Sequence, residues 1–249
     1  MKHFGGRISP VNDAQWKATL EGTFQPIPIR GKLIICGNQT AYASSLDSQK
    51  SLERKAENGR RITNKRTSKA IPLYFPAEMA FGSGSHATTA SCLRILCDLQ
   101  RSLQPGWNLL DLGTGSGILA IAASALGAGE VLAVDFDPVA IRIARSNWRR
   151  NRDVIKKREA LRFEVVDVRE NFPSGKYRVI CANLFAGLLM KIVSDVFQSL
   201  ERGGWWIFSG VLTEQLSEVV SALREGGFSA PTIRHRGKWI AGVAQKPLT

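Results

Sequence analysis

Along the last two thirds of the chain, short apolar runs alternate with segments whose apolar residues recur at helical spacing. Leu109–Leu112, Val131–Val134, Phe163–Asp167, Tyr177–Asn183 and Trp205–Ser209 have the length and apolar content of buried strands. Between them lie helices. One runs from Ile118 to a stop at Gly127, and one opens at Asp137-Pro138 with Val139, Ile143 and Ala144 inward. The next shows Leu188, Leu189, Ile192, Val193, Val196, Phe197 and Leu200, broken by Gly203-Gly204. Thr213 is placed to cap a last helix, with Leu216, Val219, Val220 and Leu223 inward and Gly226-Gly227 at its end. Pro231–Arg236 and Lys238–Gln245 then read as a hairpin through Gly237. Strand and helix in strict alternation predict an α/β domain over residues 71–249: a doubly wound, Rossmann-like sheet of seven strands, five parallel and two in an antiparallel hairpin.

Residues 1–70 read as a short N-terminal extension. Asp13–Leu20 suits a short helix, and Ile27-Pro28-Ile29 and Leu33–Cys36 suit edge strands. From Asp47 to Lys69 apolar residues nearly vanish while Lys50, Arg54, Lys55, Arg60, Arg61, Lys65, Arg66 and Lys69 accumulate. That stretch predicts a flexible basic loop, either an RNA-contacting arm or a surface insertion. Ile71–Pro76 restarts the apolar pattern. A glycine-hinged loop, Met79–Thr89, then leads into a helix bearing Cys92, Leu93, Leu96 and Leu99. Thr88 and Thr89 are positioned either to wall a ligand or to cap that helix.

Composition narrows the class. At 249 residues and 44% hydrophobic content the chain can bury a full α/β core, and its apolar runs are too short to cross a membrane. The N-terminus has no apolar signal segment. Four cysteines without a Cys-x-x-Cys pair, with only three histidines, argue against a zinc site and for reduced thiols in a cytoplasmic protein. The net charge of +13 suggests either an anionic partner such as RNA or a merely basic surface. A second basic concentration runs from Arg142 to Arg158.

The chemistry centres on Asp111-Leu112-Gly113-Thr114-Gly115-Ser116-Gly117-Ile118. A strand ending there would turn on three glycines and feed a helix N-terminus, exposing backbone amides to a ligand. A nicotinamide-binding turn requires Gly-x-Gly-x-x-Gly, but Ile118 stands at the third glycine position. Asp135, at the end of the next apolar run, is placed to reach ribose hydroxyls. An acid two residues before Gly-x-Gly-x-Gly resembles the first motif of class I S-adenosylmethionine-dependent methyltransferases. That resemblance implies S-adenosylmethionine as cofactor, bound at Gly113, Gly115 and Gly117, with Asp111 near its methionine part. Asp167 stands where that class places a polar group near the adenine, or is a plain strand-end acid.

Three further stretches narrow the resemblance to the bacterial PrmA family, which methylates amino groups on large-subunit ribosomal protein eleven. They are Ala80–Thr89, Cys181-Ala182-Asn183-Leu184-Phe185-Ala186 and Ser209–Gln215. Trp16 with Phe24–Ile27 resembles the segment that joins that family's two domains. The likeness covers roughly residues 13–45 and 71–245. It implies cofactor contacts at Thr89, Gly113, Asp135 and Asn183, and a catalytic role for Asn183, which orients the acceptor nitrogen. Asn-Leu-Phe replaces the Asn/Asp-Pro-Pro-Tyr of many amino-group methyltransferases. The family also has an N-terminal domain that grips the ribosomal protein, and only about a dozen residues precede the joining segment here. The expectation is therefore a protein (lysine) N-methyltransferase, with a ribosomal protein as candidate substrate and RNA or ribosome contact through the basic stretches. The alternatives are an RNA methyltransferase and a non-catalytic cofactor-binding protein. His86 is the one candidate base by position, or else a structural loop residue.

Overall fold

The structure, a computed structural model, describes residues 25–57, 70–76, 86–155 and 160–249, with backbone alone at 49–57. The expected helix at Asp13–Leu20, the Trp16 segment, the basic residues 58–69, the loop at 79–85 and Lys156–Arg158 lie outside them.

The predicted seven-stranded sheet is present. β4 (Asn108–Leu112), β5 (Glu130–Asp135), β6 (Leu161–Val165), β7 (Tyr177–Asn183), β8 (Leu200–Leu212), β9 (Thr232–Arg236) and β10 (Trp239–Gln245) assemble in the order β6-β5-β4-β7-β8-β10-β9. β4 to β8 pair in parallel, and β10 pairs antiparallel with both β8 and β9. The winding reverses between β4 and β7, so the crevice beyond their carboxyl ends is where ligands of such sheets bind.

Alternating side chains of the central strands feed two cores. Leu109, Val179 and Cys181 pack beneath α2 (Ala87–Leu99), α3 (Ile118–Ala125) and α4 (Pro138–Asn151). Leu110, Leu112, Ile180 and Ala182 face α5 (Ala186–Lys191), α6 (Val193–Ser199) and α7 (Leu216–Glu225). The strands are apolar on both faces because helices cover both.

A second sheet joins the first core. β1 (Ile27–Ile29) pairs antiparallel with β2 (Leu33–Cys36), which pairs in parallel with β3 (Ile71–Tyr74). Ile29, Leu33, Ile35, Leu73 and Phe75 bury against α2 and its neighbours. Buried Asn151 fastens this sheet to α4: its Oδ1 accepts from Tyr74 N at 2.7 Å and its Nδ2 donates to Tyr74 O at 2.8 Å.

Several elements differ from expectation. Residues 47–57 belong to a helix, α1 (Gln39–Glu57), whose start is capped by Asn38 Oδ1 accepting from Ala41 N at 2.7 Å. A scarcity of apolar residues excludes a core, but Lys, Glu, Arg and Ala are good helix formers and need none. The helix expected over 188–200 is two, divided at Ile192, whose ψ of 5° departs from helical geometry. β8 runs through Gly203-Gly204 instead of starting after them. Thr213 does not cap α7; its hydroxyl donates to Lys238 O at 3.2 Å, and a 3-10 turn precedes the helix. β6 ends at Val165, leaving Asp167 in the following loop. In α4 the buried residues are Ile141, Ala144, Asn147 and Asn151, while Val139 is exposed.

Candidate active site

The turn after β4 is built as the glycine spacing demands. Gly113, Gly115 and Gly117 all have positive φ, at 68°, 52° and 80°. Thr114 N donates to Val134 O at 2.9 Å, and Gly117 N closes the turn on Thr114 O at 2.8 Å. Gly117 is needed for packing as well, since a Cβ there would lie 3.0 Å from Ala144 Cβ and 3.3 Å from the Phe163 ring. Buried Asn147 supports the turn from α4 by donating to Ser116 O at 2.9 Å.

Above this turn lies a cavity of 570 Å³, a size suited to a nucleoside-bearing ligand. Thr89, Gly113, Gly115, Asp135, Asp167 and Asn183 all line it, although the chain brings them from five separate places. Asp135 closes β5 and is 8% exposed. Its Oδ2 accepts from Gly115 N at 2.9 Å and its Oδ1 from Asp137 N at 3.1 Å, which fixes the carboxylate and leaves further lone pairs. Asn183 closes β7 and donates through Nδ2 to Thr89 Oγ1 at 3.3 Å, tying the β7 end to the first turn of α2.

Asp111 and Gly117 are not on the wall. Asp111 is buried beneath the turn, with Oδ2 accepting from Thr114 Oγ1 at 2.6 Å and Oδ1 without a hydrogen-bond partner. Burial, aided by the charge of Asp135, pushes its pKa up to about 7, and hydrogen bonding from Thr114 and the Ala120 backbone offsets only part of that. Asp167 is the opposite case. Hydrogen bonds from the Arg169 guanidinium and backbone hold it down to about 2, with Nε–Oδ1 at 2.9 Å and Nη2–Oδ2 at 2.5 Å.

The apolar wall was less legible in the chain. Phe136, 67% exposed, lines the cavity with the Arg169 guanidinium 5.9 Å from its ring centre. Phe185, 66% exposed, and Trp239 line it too. An apolar residue directly after a strand-end acid was the available signal for Phe136, and the apolar Leu184-Phe185 pair after a strand-end asparagine for Phe185; nothing local marked Trp239, which arrives from β10. His86 also lines the cavity, with Nδ1 2.8 Å from Thr88 Oγ1 and its ring edge-on to Trp239. Cys92 and Cys181 are fully buried below the site; burial and the Asp111 charge push the Cys92 thiol up to about 12 and raise Cys181 well above its usual value. Both stay protonated at neutral pH.

The family profile described as "Ribosomal protein L11 methyltransferase (PrmA)" matches residues 58–247, the whole of this sheet and its cavity. The chain belongs to the PrmA family. Among PrmA relatives it is 39% identical over 177 residues to the ribosomal protein L11 methyltransferase of Symbiobacterium thermophilum, covering 71% of this chain and 55% of that protein. The Listeria innocua protein of the same name is 28% identical over 239 residues, covering 96% of this chain and 67% of that one. The chain thus spans a little over half to two thirds of the length of these relatives. Among solved structures, a ribosomal protein L11 methylase from Lactobacillus delbrueckii subsp. bulgaricus superposes with a TM-score of 0.60 at 27% identity, covering 75% of this chain and 88% of that one. An S-adenosylmethionine-dependent O-methyltransferase from Thermotoga maritima shares the fold, with a TM-score of 0.54 at 16% identity. Among the described residues, no helix is long and apolar enough to cross a membrane.

Proposed function

We propose that the protein is an S-adenosylmethionine-dependent N-methyltransferase whose acceptor is a lysine amino group of a protein, carried by the ribosome or one of its proteins. The observation that supports it most is the meeting of the glycine turn, Asp135 and Asn183 around one cavity at the winding reversal. The names of the PrmA relatives support the choice of a ribosomal protein.

The residues present suit that cofactor. The fixed Asp135 carboxylate retains lone pairs for two ribose hydroxyls. Phe136 offers a ring face to a purine, and Asp167 with Arg169 supplies polar groups beside it. The backbone of Gly113 and Gly115 allows close approach of the amino-acid part, and Thr89 adds a hydroxyl. When bound, the cofactor supplies a methyl group already activated by the sulfonium charge. What remains for the protein is alignment of the acceptor nitrogen. The Asn183 side-chain oxygen accepts an N–H from that nitrogen and aims its lone pair inward, while Phe185 and Trp239 cover the alkyl stem. A lysine, with a free pKa of about 10.4, loses its proton at pH 7 at a cost of about 4–5 kcal/mol. Entry into an apolar, cation-bearing pocket recovers part of that by disfavouring the ammonium.

Two measurements test the reading. Titration calorimetry is expected to show binding of S-adenosylmethionine and none of NAD; the reverse preference refutes the cofactor. Incubation with labelled cofactor and free ribosomal proteins, ribosomal particles or RNA is expected to label a protein lysine, identified by mass. Label on RNA alone refutes the acceptor class.

A further inference from the structure

Among the described residues, positive charge also gathers away from the basic stretches that stand out in the chain. In α4, Arg145 Nη2 donates to Phe163 O at 2.7 Å, and Arg150 Nη1 donates to Ser146 and Asn147. Another group forms where three elements distant in sequence meet. Arg94 and Arg101 lie on α2 and just past its end, Arg234 and Arg236 on edge strand β9, and Arg30 and Lys32 in the β1–β2 turn.

Contacts among them show the convergence. Asp98 Oδ2 takes both Arg30 Nη2 at 3.0 Å and Arg234 Nη2 at 2.9 Å. Lys32 Nζ donates to Gln100 Oε1. Arg94 feels the charges of Arg236 and Arg30, which, after burial, hold its pKa below the usual arginine value. Among the described residues, Asp98 is the one carboxylate that pairs with any of these six cations. Arg94 Nη1 and Arg234 Nη1 are closed off from water without an acceptor. Among the described residues, one acid against six cations leaves a strong local excess of positive charge.

The placement gives the excess a direction. Arg234 and Arg236 are two apart on β9, so they share the face on which Arg234 meets α2. Arg236 pairs in register with Trp239, and Trp239 lines the cavity. The cations therefore form a track from the cavity rim, along the exposed sheet edge, to the far end of α2.

We propose that this track binds the phosphate backbone of RNA, holding a ribonucleoprotein substrate with its acceptor near the cavity. Five of the six cations are arginines, whose planar forks match phosphate oxygens, and their side chains are partly or fully exposed. An acidic protein segment is the competing occupant. The binding itself is independent of the methyl-transfer reading, and its test uses no cofactor.

The test measures binding of a short labelled single-stranded RNA by fluorescence anisotropy between about 50 and 200 mM salt. Its subjects are the full chain and the double variant Arg94→Gln/Arg236→Gln. Neither residue pairs with Asp98, so its ion pairs survive. The parent is expected to bind with affinity falling steeply with salt. The double variant is expected to flatten the log–log slope by about 1.4, for two single-strand phosphate contacts, without a lower melting temperature. Should it melt early, Arg101→Gln/Arg236→Gln, on two exposed side chains, is expected to give the same flattening. An unchanged slope in a folded variant, no salt-dependent RNA binding by the parent, or tighter binding of a polyglutamate peptide than of RNA at equal salt overturns the proposal.

Discussion

Asp111→Asn is expected to make the protein more stable at alkaline pH, although it removes the acid that announces the glycine turn. In the folded chain the Asp111 pKa stands at about 7 against an ordinary 3.8, because burial opposes the charge more than the hydrogen bonds to the carboxylate favour it. Between those values the folded state holds a proton that the unfolded state has released. Stability therefore falls as pH rises from about 4 to about 7 and then levels off. The full penalty is about three pH units, or about 4 kcal/mol, of which about 3 kcal/mol accrues between pH 5 and pH 8. Asparagine has no charge to bury, but its amide group leaves a donor without an acceptor, a loss of about 1–3 kcal/mol. The variant is expected to be more stable than the parent by about 1–3 kcal/mol at pH 8, and equal or weaker at pH 5. Urea unfolding of both proteins across that range measures the difference curve, in which other titrating groups cancel. Parallel curves for parent and variant would refute the account, because they would mean that Asp111 is ionised at no cost in the folded protein.

Asp135→Ala is expected to weaken S-adenosylmethionine binding by about 1.5–3 kcal/mol, read by calorimetry, since the ribose loses a charged acceptor; unchanged affinity in a folded variant would show that the acid does not reach the ligand. Asn183→Ala is expected to lower turnover more than cofactor affinity; equal losses in both would indicate a cofactor contact instead of an orienting role. Gly210→Ala combines a φ of +87° with a Cβ placed 2.3 Å from Leu184 O, so it is expected to displace the Asn183–Phe185 segment and destabilise the fold by more than 1 kcal/mol. A melting temperature equal to the parent's would count against that close contact.

By itself the sequence determined what local chemistry dictates. Alternating apolar runs and helical periods specified seven strands in a doubly wound sheet, because each pattern is written in adjacent residues and the crossover rule admits few windings. The glycine turn was legible because positive φ at Gly113, Gly115 and Gly117 requires residues without a Cβ. So were the strand-end positions of Asp135 and Asn183. Tertiary structure decided whatever depends on partners far along the chain. It put Asp111 under the turn and off the cavity wall, since a strand's pleat, set by pairing on both sides, chooses which face a side chain meets. It carried Trp239 to the cavity from a hairpin more than a hundred residues beyond the glycine turn. It also gathered Arg30 and Arg234 on Asp98 and brought Arg94 and Arg236 close to them. Charge acts through space and adds up wherever folding brings it, so a count along the chain sees the long basic stretches and misses the track at the sheet edge.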